Sequence, residues 1–504
     1  MAKQSISSKP LYGLLRFLLL VLLTVGLVIG ITGGLLPVSA AQRNNYCRFN
    51  DRAIAQKNQL REQAFNQNTQ SAKAEYQALI QRHGKQLTNC RQQTWPQRQA
   101  IWLRVYPCDT QPGRVEEILD HIVDSGYNEV YLEVFYNGQV LLPLKENQTP
   151  WASVLRSPSV SDRDLLLDVI AKGHERNLKV YAWLFSLNFG YAYAQRSDRA
   201  QVLARNGYGE TNLSNDSEDE KAFVDPYNQQ ARQDYLQMLS AVLKRQPDGV
   251  LFDYIRYPRS TGTRSVVTGV KNLWIYGDAA FNTLLDRALN DKGQFLIQQF
   301  VNKGYVTSTD VAKVDEMEPK DTPPLWQGRN VEAGEAEMSL EARQTLLQEQ
   351  LWYLSVAHAA QGVVDFLSLA AEEVQGQNIP SGAVFFPDAN RVVGEQGFDS
   401  RLQPWTRFNQ VGQWHPMSYG VCGRTNCIVD LVQRTMSVAD SELEVVPALA
   451  GTWGGNYKDR PPLEVQMEAI RREVPQIAGV SHFAYSWQFP QRDRDRKFCS
   501  LEDN

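Results

Sequence analysis

The stretch Gln246–Arg259 places a carboxylate at the end of a short apolar run. Its sequence, QPDGVLFDYIRYPR, begins with a turn signal and continues with a run too short for a helix, which is typical of a buried strand in a parallel sheet. Asp253 ends that run. An acid at the carboxyl end of a buried strand is costly to desolvate, so it usually pairs, binds or catalyses. Asp253 is therefore the first candidate for chemistry, and the structural alternative is an Asp that caps a loop or forms an ion pair with Arg256 or Arg259.

Two further acids are candidate partners for Asp253 in acid–base chemistry. Glu133 lies in a strand-like segment, where two-residue alternation puts it in line with Tyr131 and Phe135. Its alternative role is an ion pair with Arg104 on the neighbouring strand. Asp388 follows another strand-like run, and a turn or helix-cap role suits it equally well because Asp-Ala-Asn is favourable turn sequence.

Strands and helices alternate around these acids. The predicted helices cover 115–125, 162–176, 229–245, 338–373, 429–439 and 462–473. Such alternation predicts an α/β fold with a parallel sheet, and eight strands favour a (β/α)8 barrel over an open doubly wound sheet. The eight predicted strands are Ala100–Tyr106, Asn128–Tyr136, Leu178–Phe185, the run ending at Asp253, Gly382–Phe386, Gln410–Met417, Leu443–Leu449 and Val480–Trp487.

The termini and one long segment fall outside this pattern. Residues 1–41 contain a basic flank, an uncharged run over 17–36 and small residues, which predict a cleaved signal peptide or a retained membrane anchor. Residues 42–95 are polar and predict a helical stalk or a poorly ordered spacer. The barrel is predicted over 96–490, with an insertion after strand four at about 259–337 and a tail at 491–504.

Composition, charge and the motifs that are absent limit the classes of partner and cofactor that we expect. The net charge is -4 and the pI is near 6.0, which gives no reason to expect a nucleic-acid partner. The 6 histidines are not spaced as metal ligands, and there is no nucleophile elbow, phosphate loop or dinucleotide fingerprint, so we expect neither metal nor cofactor. Nothing in the residues indicates an oligomeric state.

Six cysteines suit an exported protein, periplasmic or extracellular, either released or held in the cytoplasmic membrane by its N-terminal segment. Cys47 and Cys90 bracket the polar segment, and Cys422 and Cys427 are near neighbours. In a closed barrel strand eight lies beside strand one, which brings Cys499 towards Cys108. These three pairs are one choice among about fifteen pairings that six cysteines allow.

Six segments, taken in order, resemble one family, and they are Ile101–Arg104, Gly126–Asn128, Tyr181–Trp183, Asp248–Tyr254, Pro416–Gly420 and Gly479–Trp487. The likeness extends from about Gln99 to Pro490 and is to the bacterial glycosyl-hydrolase-like family 10; the segment after strand four has no counterpart. The chain departs from the family pattern where Tyr254 follows Asp253 in place of a second acid, at Glu133, where an amide is expected, and at 413–415, where an Asp is frequent.

The resemblance implies a barrel related to glycoside hydrolases and a cell-envelope polysaccharide as substrate. Glycosidic cleavage needs an acid and a second carboxylate about 5 to 9 Å apart, for which Asp253, Glu133 and Asp388 are the candidates. The alternative is a catalytically inactive barrel that binds glycan or serves as an envelope scaffold. Polar and aromatic residues at predicted strand ends are the candidates for holding a sugar: Tyr106, Tyr136, Asn137, Trp183, Asn188, Tyr254, Arg256, His415, Tyr419, Trp453, Tyr485 and Trp487.

Overall fold

The computed structural model describes residues 46–66, 69–214, 218 and 220–501. In this part of the chain an eleven-stranded sheet forms the centre of an α/β fold, and its main strands are parallel to their neighbours. The predicted class and the parallel sheet are therefore confirmed. The predicted signal peptide or anchor at 1–41 lies outside the described residues.

The main strands follow one another in space in the order in which they occur in the chain. Their residues are almost all buried, as expected for strands covered on both faces. The strands are β1 (Arg98–Leu103), β2 (Glu129–Tyr136), β3 (Lys179–Phe185), β4 (Gly249–Asp253), β5 (Ser381–Phe385), β6 (Gln413–Pro416), β7 in two parts (Glu444–Val445 and Ala448–Ala450) and β8 (Gly479–Phe483).

The divided strand β7 connects β6 to β8. Its first part pairs with β6 and its second part pairs with β8, which in turn pairs with β1. The break falls at Pro447, which has no N–H to donate. Hydrogen bonds nevertheless continue across it, because Val446 N donates to Trp414 O at 2.8 Å and Ser481 N donates to Pro447 O at 2.9 Å. The parallel ladder therefore runs from β6 through β7 to β8 and β1.

Helices cover the outside of the sheet. Those that follow main strands carry apolar residues at helical spacing; α3, for example, buries Val115, Ile118, Leu119 and Ile122. The helices are α1 (Asp51–Asn66), α2 (Gln70–Gln93), α3 (Arg114–Asp124), α4 (Leu165–His174), α5 (Tyr191–Ala194), α6 (Gln229–Leu243), α7 (Asp278–Leu285), α8 (Asp291–Lys303), α9 (Ser308–Glu316), α10 (Leu340–Gln375), α11 (Asn426–Met436), α12 (Leu463–Glu473), α13 (Tyr485–Gln488) and α14 (Pro490–Lys497).

Short elements complete the described chain. Gln139–Val140 pairs with the end of β2 and with Ala152–Ser153, and Gly397–Asp399 lies between Val266–Val267 and Val392–Val393 in a separate small sheet. Short 3-10 helices occupy Pro107–Thr110, Ser197–Val202, Asn212–Ser214, Gly262–Ser265, Val270–Asn272, Glu335–Glu337 and Trp405–Arg407.

The polar segment before β1 forms a helical hairpin that lies on the body of the protein. Helices α1 and α2 pack against each other and against α3. Lys57 of α1 donates to Asp124 of α3 at 2.6 Å, and both side chains are buried. Gly84 of α2 lies so close to the backbone of Arg176 that a Cβ atom would stand 2.4 Å from its carbonyl oxygen. The sequence suggests a stalk, whereas these contacts make the hairpin an outer layer of the fold.

The chain between β4 and β5 is long and ends in α10. It contains α7, α8 and α9 before α10 resumes the strand–helix pattern. Among the described residues, α10 is the helix long and apolar enough to cross a membrane, and 67% of its apolar window is buried inside the protein. It packs against α6 and α9, which accounts for its hydrophobicity.

Three disulfides are present, and they are the predicted pairs Cys47–Cys90, Cys108–Cys499 and Cys422–Cys427. They indicate an exported protein.

The prediction of strand eight is wrong at its end. β8 stops at Phe483, and Tyr485–Gln488 is a helical turn. Alternating aromatic residues over such a short run do not distinguish a strand from a turn of helix.

Candidate active site

A cavity of about 260 Å³ opens at the carboxyl ends of the parallel strands. Strands β1 to β6 and β8, or the residues directly after them, contribute to its wall. Three of the side chains that line it are carboxylates: Glu133, Glu220 and Asp253. In a sheet of this type, ligands bind at this end of the strands.

Asp253 is the last residue of β4, and 7% of its surface is exposed. Its Oδ1 accepts the backbone N–H of Tyr254 at 2.6 Å, and its Oδ2 accepts the indole N–H of Trp183 at 3.1 Å. Among the residues that the structure describes, no cation lies within ion-pair distance of it. The sequence alternative, a pair with Arg256 or Arg259, is therefore not formed, and Asp253 faces the cavity with two neutral donors.

Burial raises the pKa of Asp253 to about 6. The Tyr254 N–H, the Arg256 guanidinium and the Trp183 N–H lower the pKa, whereas the neighbouring Glu133 raises it. Near neutral pH the group exchanges its proton, as a general acid must. The next residue, Tyr254, has a φ of 52°, a left-handed conformation that is unfavourable for a tyrosine. Backbone strain of this kind clusters at functional sites.

Glu133 of β2 lies in the same cavity and is held by Arg104. Arg104 donates to both carboxylate oxygens, through Nε and, at 3.0 Å, through Nη2. The Glu133 side chain is 1% exposed and that of Arg104 is 37% exposed. Burial raises the pKa of Glu133, and the Arg104 guanidinium opposes the rise. The ion-pair alternative is therefore confirmed, and the pair is itself part of the cavity wall.

The ladder register explains why the two acids are neighbours. Glu133 pairs in the ladder with Trp183 of β3, and Phe185 of β3 pairs with Asp253 of β4. Trp183 thus stands between the two acids and donates to one of them. One intervening strand separates the two backbones by roughly 10 Å, and both side chains line the same cavity.

Glu220 and Lys221 come from the loop that follows β3. Glu220 is exposed, and Lys221 lies 3.1 Å from Glu218. Glu218 also receives both Nη atoms of Arg256, at 3.0 and 3.2 Å, and the backbone N–H of Arg259 at 2.7 Å. This buried carboxylate therefore fixes the charged wall formed by Arg256 and Lys221.

The structure corrects the prediction for Asp388. Its side chain is 41% exposed and lies 3.3 Å from the Arg401 guanidinium, which also binds Asp399. It is not among the side chains that line the cavity. The reason is that the chain turns away after Phe386, so the turn role that its sequence suggested agrees with its position.

Five of the predicted sugar-binding residues line the cavity. Trp183, Tyr254, Arg256 and Tyr419 surround Asp253, and the exposed Asn137 is at the rim. The negative charge of Asp253 contributes to a raised pKa of Tyr419, although burial is the larger cause. The prediction placed these residues at strand ends, and the structure brings them around one space.

Other predicted sugar-binding residues lie outside the cavity because they serve other contacts. Asn188 is fully buried and accepts the N–H groups of Gly190 and Ala222 in a loop. His415 points into the interior of the sheet beside Tyr131, where burial lowers its pKa to about 3. Tyr136 is covered by the guanidinium of Arg104.

The remaining four lie further out. The Tyr106 hydroxyl donates to Asp493 of α14 at 3.1 Å, and Tyr485 packs beside His121. Trp453 donates to the Tyr127 hydroxyl at 3.1 Å and is not among the residues that line the cavity. Trp487 packs against Tyr457 in a tilted arrangement and touches Phe483, so it borders the cavity without lining it.

Several lining residues were missed by sequence reasoning. Alternation along β1 from the inward Arg104 leads to Trp102, so this signal was available. Glu220 and Lys221 lie in an irregular loop, where periodicity offers no signal. The other lining residues that the sequence did not suggest are Phe185, Val384, Phe386, Met417 and Phe483. In the described part of the chain, no group of three or more His, Cys, Asp or Glu could hold a metal ion.

Residues 83–303 match the model of the glycosyl hydrolase-like 10 family. The resemblance is confirmed for this segment. The matched glycosyl hydrolase-like 10 segment includes Glu133 and Asp253, whereas Asp388, Tyr419 and the strand-eight residues lie beyond it. A search of curated proteins finds no match.

Solved structures with a similar arrangement include three enzymes. A beta-galactosidase from the psychrophilic Marinomonas ef1 has 11% identity and a TM-score of 0.45 over 77% of this chain, which spans 54% of that protein's length. A beta-N-acetylhexosaminidase from Bacteroides fragilis has 8% identity and a TM-score of 0.38 over 78% of this chain and 61% of its own. The spore cortex-lytic enzyme SleL from Bacillus megaterium has 8% identity and a TM-score of 0.34 over 81% of this chain and 75% of its own.

Proposed function

We propose that this protein is a glycoside hydrolase of the (β/α)8 barrel type that cleaves O-glycosidic bonds in a cell-envelope or extracellular polysaccharide. One observation carries the proposal. Asp253, which has no cation partner in the described chain, and Glu133, which is paired with Arg104, line the same cavity at the carboxyl ends of the strands. Glycosidic cleavage needs one protonated and one ionised carboxyl group. The absence of a cation beside Asp253 favours its protonated form, and Arg104 favours the ionised form of Glu133.

Asp253 acts as the general acid. In its protonated form it gives its proton to the oxygen of the leaving sugar as the bond to the anomeric carbon breaks. A pKa of about 6 keeps a substantial fraction protonated in mildly acidic solution and allows the proton to be regained.

Glu133 acts as the second carboxylate. Arg104 stabilises its ionised form, in which it either bonds to the anomeric carbon or takes a proton from the attacking water. The first route retains the configuration at the anomeric carbon and the second inverts it. Arg104 also stabilises the negative charge that remains on Glu133 while positive charge develops on the sugar.

Aromatic side chains supply the surface for the sugar. Trp102, Trp183, Tyr254, Tyr419 and Phe483 line the cavity, and the edge-to-face contact of Trp102 with Trp183 at 4.8 Å keeps both rings in place. Flat apolar rings suit the C–H faces of a pyranose, and the carboxylates and guanidinium groups suit its hydroxyls. The three disulfides support a periplasmic or extracellular location, where such a glycan is found.

The bidentate Arg104–Glu133 pair also favours a second candidate, a barrel that binds glycan without cleaving it. A carboxylate with both oxygens engaged is less free to attack carbon or to accept a proton. Glu220, exposed at the cavity wall, is then the remaining acid besides Asp253.

An assay against a panel of purified envelope and extracellular glycans tests the proposal. Reducing ends released by the wild type, Asp253→Asn, Glu133→Gln and Glu220→Gln are compared, with Asp388→Asn as the control acid outside the cavity. We expect Asp253→Asn to lose about 10²- to 10⁴-fold in kcat and Asp388→Asn to retain full activity.

The outcomes separate the candidates. Wild-type cleavage that is abolished in Glu133→Gln but retained in Glu220→Gln assigns the second carboxylate to Glu133. Glycan binding without cleavage by the wild type supports the binding barrel. Equal cleavage by the wild type and Asp253→Asn contradicts the proposed role of Asp253.

A further inference from the structure

The C-terminal helix α14 holds the segment that follows β1. Three attachments connect them: Arg496 binds Asp109, the Tyr106 hydroxyl donates to Asp493, and Cys499 forms a disulfide with Cys108. The segment they hold begins at Arg104, whose guanidinium forms an ion pair with Glu133. The inference below rests on the proposed role of Glu133 as the second carboxylate.

Arg496 forms the most buried of these attachments. Its Nε and Nη2 donate to the two oxygens of Asp109 at 3.0 and 2.7 Å. Nη2 also donates to the backbone carbonyl of Arg104 at 2.8 Å. The side chains of Arg496 and Asp109 are 9% and 1% exposed, and the guanidinium lies over the rings of Tyr106 and Tyr485. Charge-assisted bonds in a buried setting are strong and directional.

The contact is to the backbone of the residue that organises the site. The backbone carbonyl of Arg104 accepts a hydrogen bond from Arg496, and the guanidinium of Arg104 donates hydrogen bonds to Glu133. Asp109 adds to the effect, since it also accepts the backbone N–H of Tyr106 at 2.8 Å. The direction in which Arg104 leaves β1 is therefore fixed by a side chain more than 390 residues further along the chain.

We propose that Arg496 is a positioning residue for the Arg104–Glu133 pair. It fixes the backbone at Arg104 and thereby orients the guanidinium fork that holds the second carboxylate against the cavity. Arg496 is not among the residues that line the cavity, and it reaches the cavity wall only through the backbone carbonyl of Arg104. The Cys108–Cys499 disulfide and the Asp493 contact keep α14 attached when Arg496 is replaced, so that the change acts mainly on the orientation of Arg104.

The test compares Arg496→Gln and Arg496→Lys with Arg494→Gln, a matched control on the exposed face of the same helix. Steady-state kinetics over a pH series are measured on the glycan that the wild type cleaves, together with thermal unfolding. In Arg496→Gln we expect kcat to fall about 10- to 100-fold, as for small displacements of catalytic groups, with KM within about twofold. The acidic limb of kcat/KM moves to higher pH, because a displaced Arg104 stabilises the ionised Glu133 less.

Arg496→Lys should be intermediate, since lysine keeps the charge beside Asp109 but cannot bind Asp109 and the Arg104 carbonyl with one planar fork. Arg494→Gln should behave as the wild type. A crystal structure of Arg496→Gln provides a readout independent of activity: the Arg104 guanidinium should no longer engage both oxygens of Glu133.

An Arg496→Gln protein that unfolds at lower temperature but keeps the wild-type pH profile and an intact Arg104–Glu133 fork overturns the proposal, because its role is then only structural. If the wild type cleaves no glycan while the fork is displaced in Arg496→Gln, the positioning stands and the proposed hydrolase function fails. An intact fork in Arg496→Gln refutes the positioning whatever the activity.

Discussion

The indole N–H of Trp183 donates a hydrogen bond of 3.1 Å to Oδ2 of Asp253. Trp183 lies on β3, next to β4, and its ladder partner is Leu251, two residues before Asp253 and therefore on the same face of the sheet. A donor to a carboxylate stabilises the ionised form and lowers its pKa, in opposition to the burial that raises the pKa of Asp253 to about 6. Trp183 therefore tunes the pKa of Asp253 and, in the proposed hydrolase, also forms part of the surface offered to the sugar.

Replacing Trp183 by Phe should move the alkaline limb of activity to higher pH. Without the indole donor the pKa of Asp253 rises, and the protonated acid persists to higher pH. A hydrogen bond to a charged group is worth about 1.5 to 3 kcal/mol, which corresponds to a shift of about one to two pH units. The measurement is the pH dependence of kcat/KM.

Trp102→Phe is the matched control, because the Trp102 indole donates to Ser481 rather than to Asp253. Both substitutions remove the same atoms beside the cavity. Equal shifts in the two variants, or a shift of Trp183→Phe to lower pH, would contradict the tuning role.

The Arg104–Glu133 pair should respond unequally to loss of its two members. Arg104→Gln leaves a carboxylate of 1% exposure without a cation, whereas Glu133→Gln leaves a guanidinium that is 37% exposed. We expect Arg104→Gln to lower the free energy of unfolding by about 3 to 5 kcal/mol at neutral pH and Glu133→Gln by about 1 kcal/mol. Urea denaturation measures both.

Acidification should restore part of the stability of Arg104→Gln. The unpaired Glu133 has a pKa raised by burial, so it binds a proton in the folded state more readily than in the unfolded state, and stability rises as pH falls. A larger loss in Glu133→Gln than in Arg104→Gln would show that the pair does not govern the burial of Glu133.

Elements with strong periodicity could be predicted from the sequence. Strands such as β3 and β4 are short, mostly apolar runs, and helices such as α6 repeat apolar residues every three or four positions, so the sequence predicts both kinds of element to within a few residues. The position of Asp253 at the end of β4 and its exposure to the cavity follow from the same pattern. The Arg104–Glu133 pair follows because the two residues occupy neighbouring strands.

Other features depend on information that periodicity lacks. Alternation along β6 predicts that the side chain of His415 points inward, as it does. Whether that side chain reaches the cavity depends on the register of β6 with its neighbouring strands, which the sequence does not give. Asp388 and Asn188 follow strands by only a few residues, and the turns of those loops carry their side chains away. The third acid of the cavity, Glu220, belongs to a loop whose path is decided by contacts such as Glu218 with Arg256.

The stability of the protein should fall as pH rises through the range in which Glu129 titrates. Glu129 begins β2 with 3% exposure, and burial raises its pKa from 4.5 to about 7, although Arg98 lies 2.9 Å away and lowers it. The folded state binds the proton more tightly, so this contribution is fully present below pH 4.5 and is lost as pH rises through about 7. The difference corresponds to roughly 3 kcal/mol.

Glu129→Gln removes this titration. The unfolding free energies of the wild type and Glu129→Gln are measured in urea at several pH values across the same range. As pH rises, the wild type should lose stability relative to Glu129→Gln. A difference that stays constant would mean that Arg98 keeps Glu129 ionised throughout.

Asp120 joins the N-terminal hairpin to the body, so Asp120→Asn should loosen the hairpin. The Asp120 carboxylate, 1% exposed, accepts Arg176 Nε at 2.9 Å, Arg61 Nη1 at 2.9 Å and the Tyr76 hydroxyl at 2.8 Å. Asparagine leaves the buried Arg176 guanidinium without its close counter-ion, at a cost of about 3 to 5 kcal/mol. Amide hydrogen exchange across α1 and α2 should accelerate before exchange in the sheet.

Acid should imitate this substitution in the wild type. Burial acts to raise the pKa of Asp120, but Arg176, Lys57 and Arg61 outweigh it and lower the pKa, so the docking contribution is present above the ordinary carboxyl pKa of 3.8 and is lost below it. Asp51→Asn, at the exposed start of α1, is the control for the loss of one acid. The Cys47–Cys90 disulfide cannot compensate because both of its cysteines precede β1. Unchanged exchange in Asp120→Asn would place the docking energy in the apolar contacts of Tyr76, Leu79 and Ile80 instead.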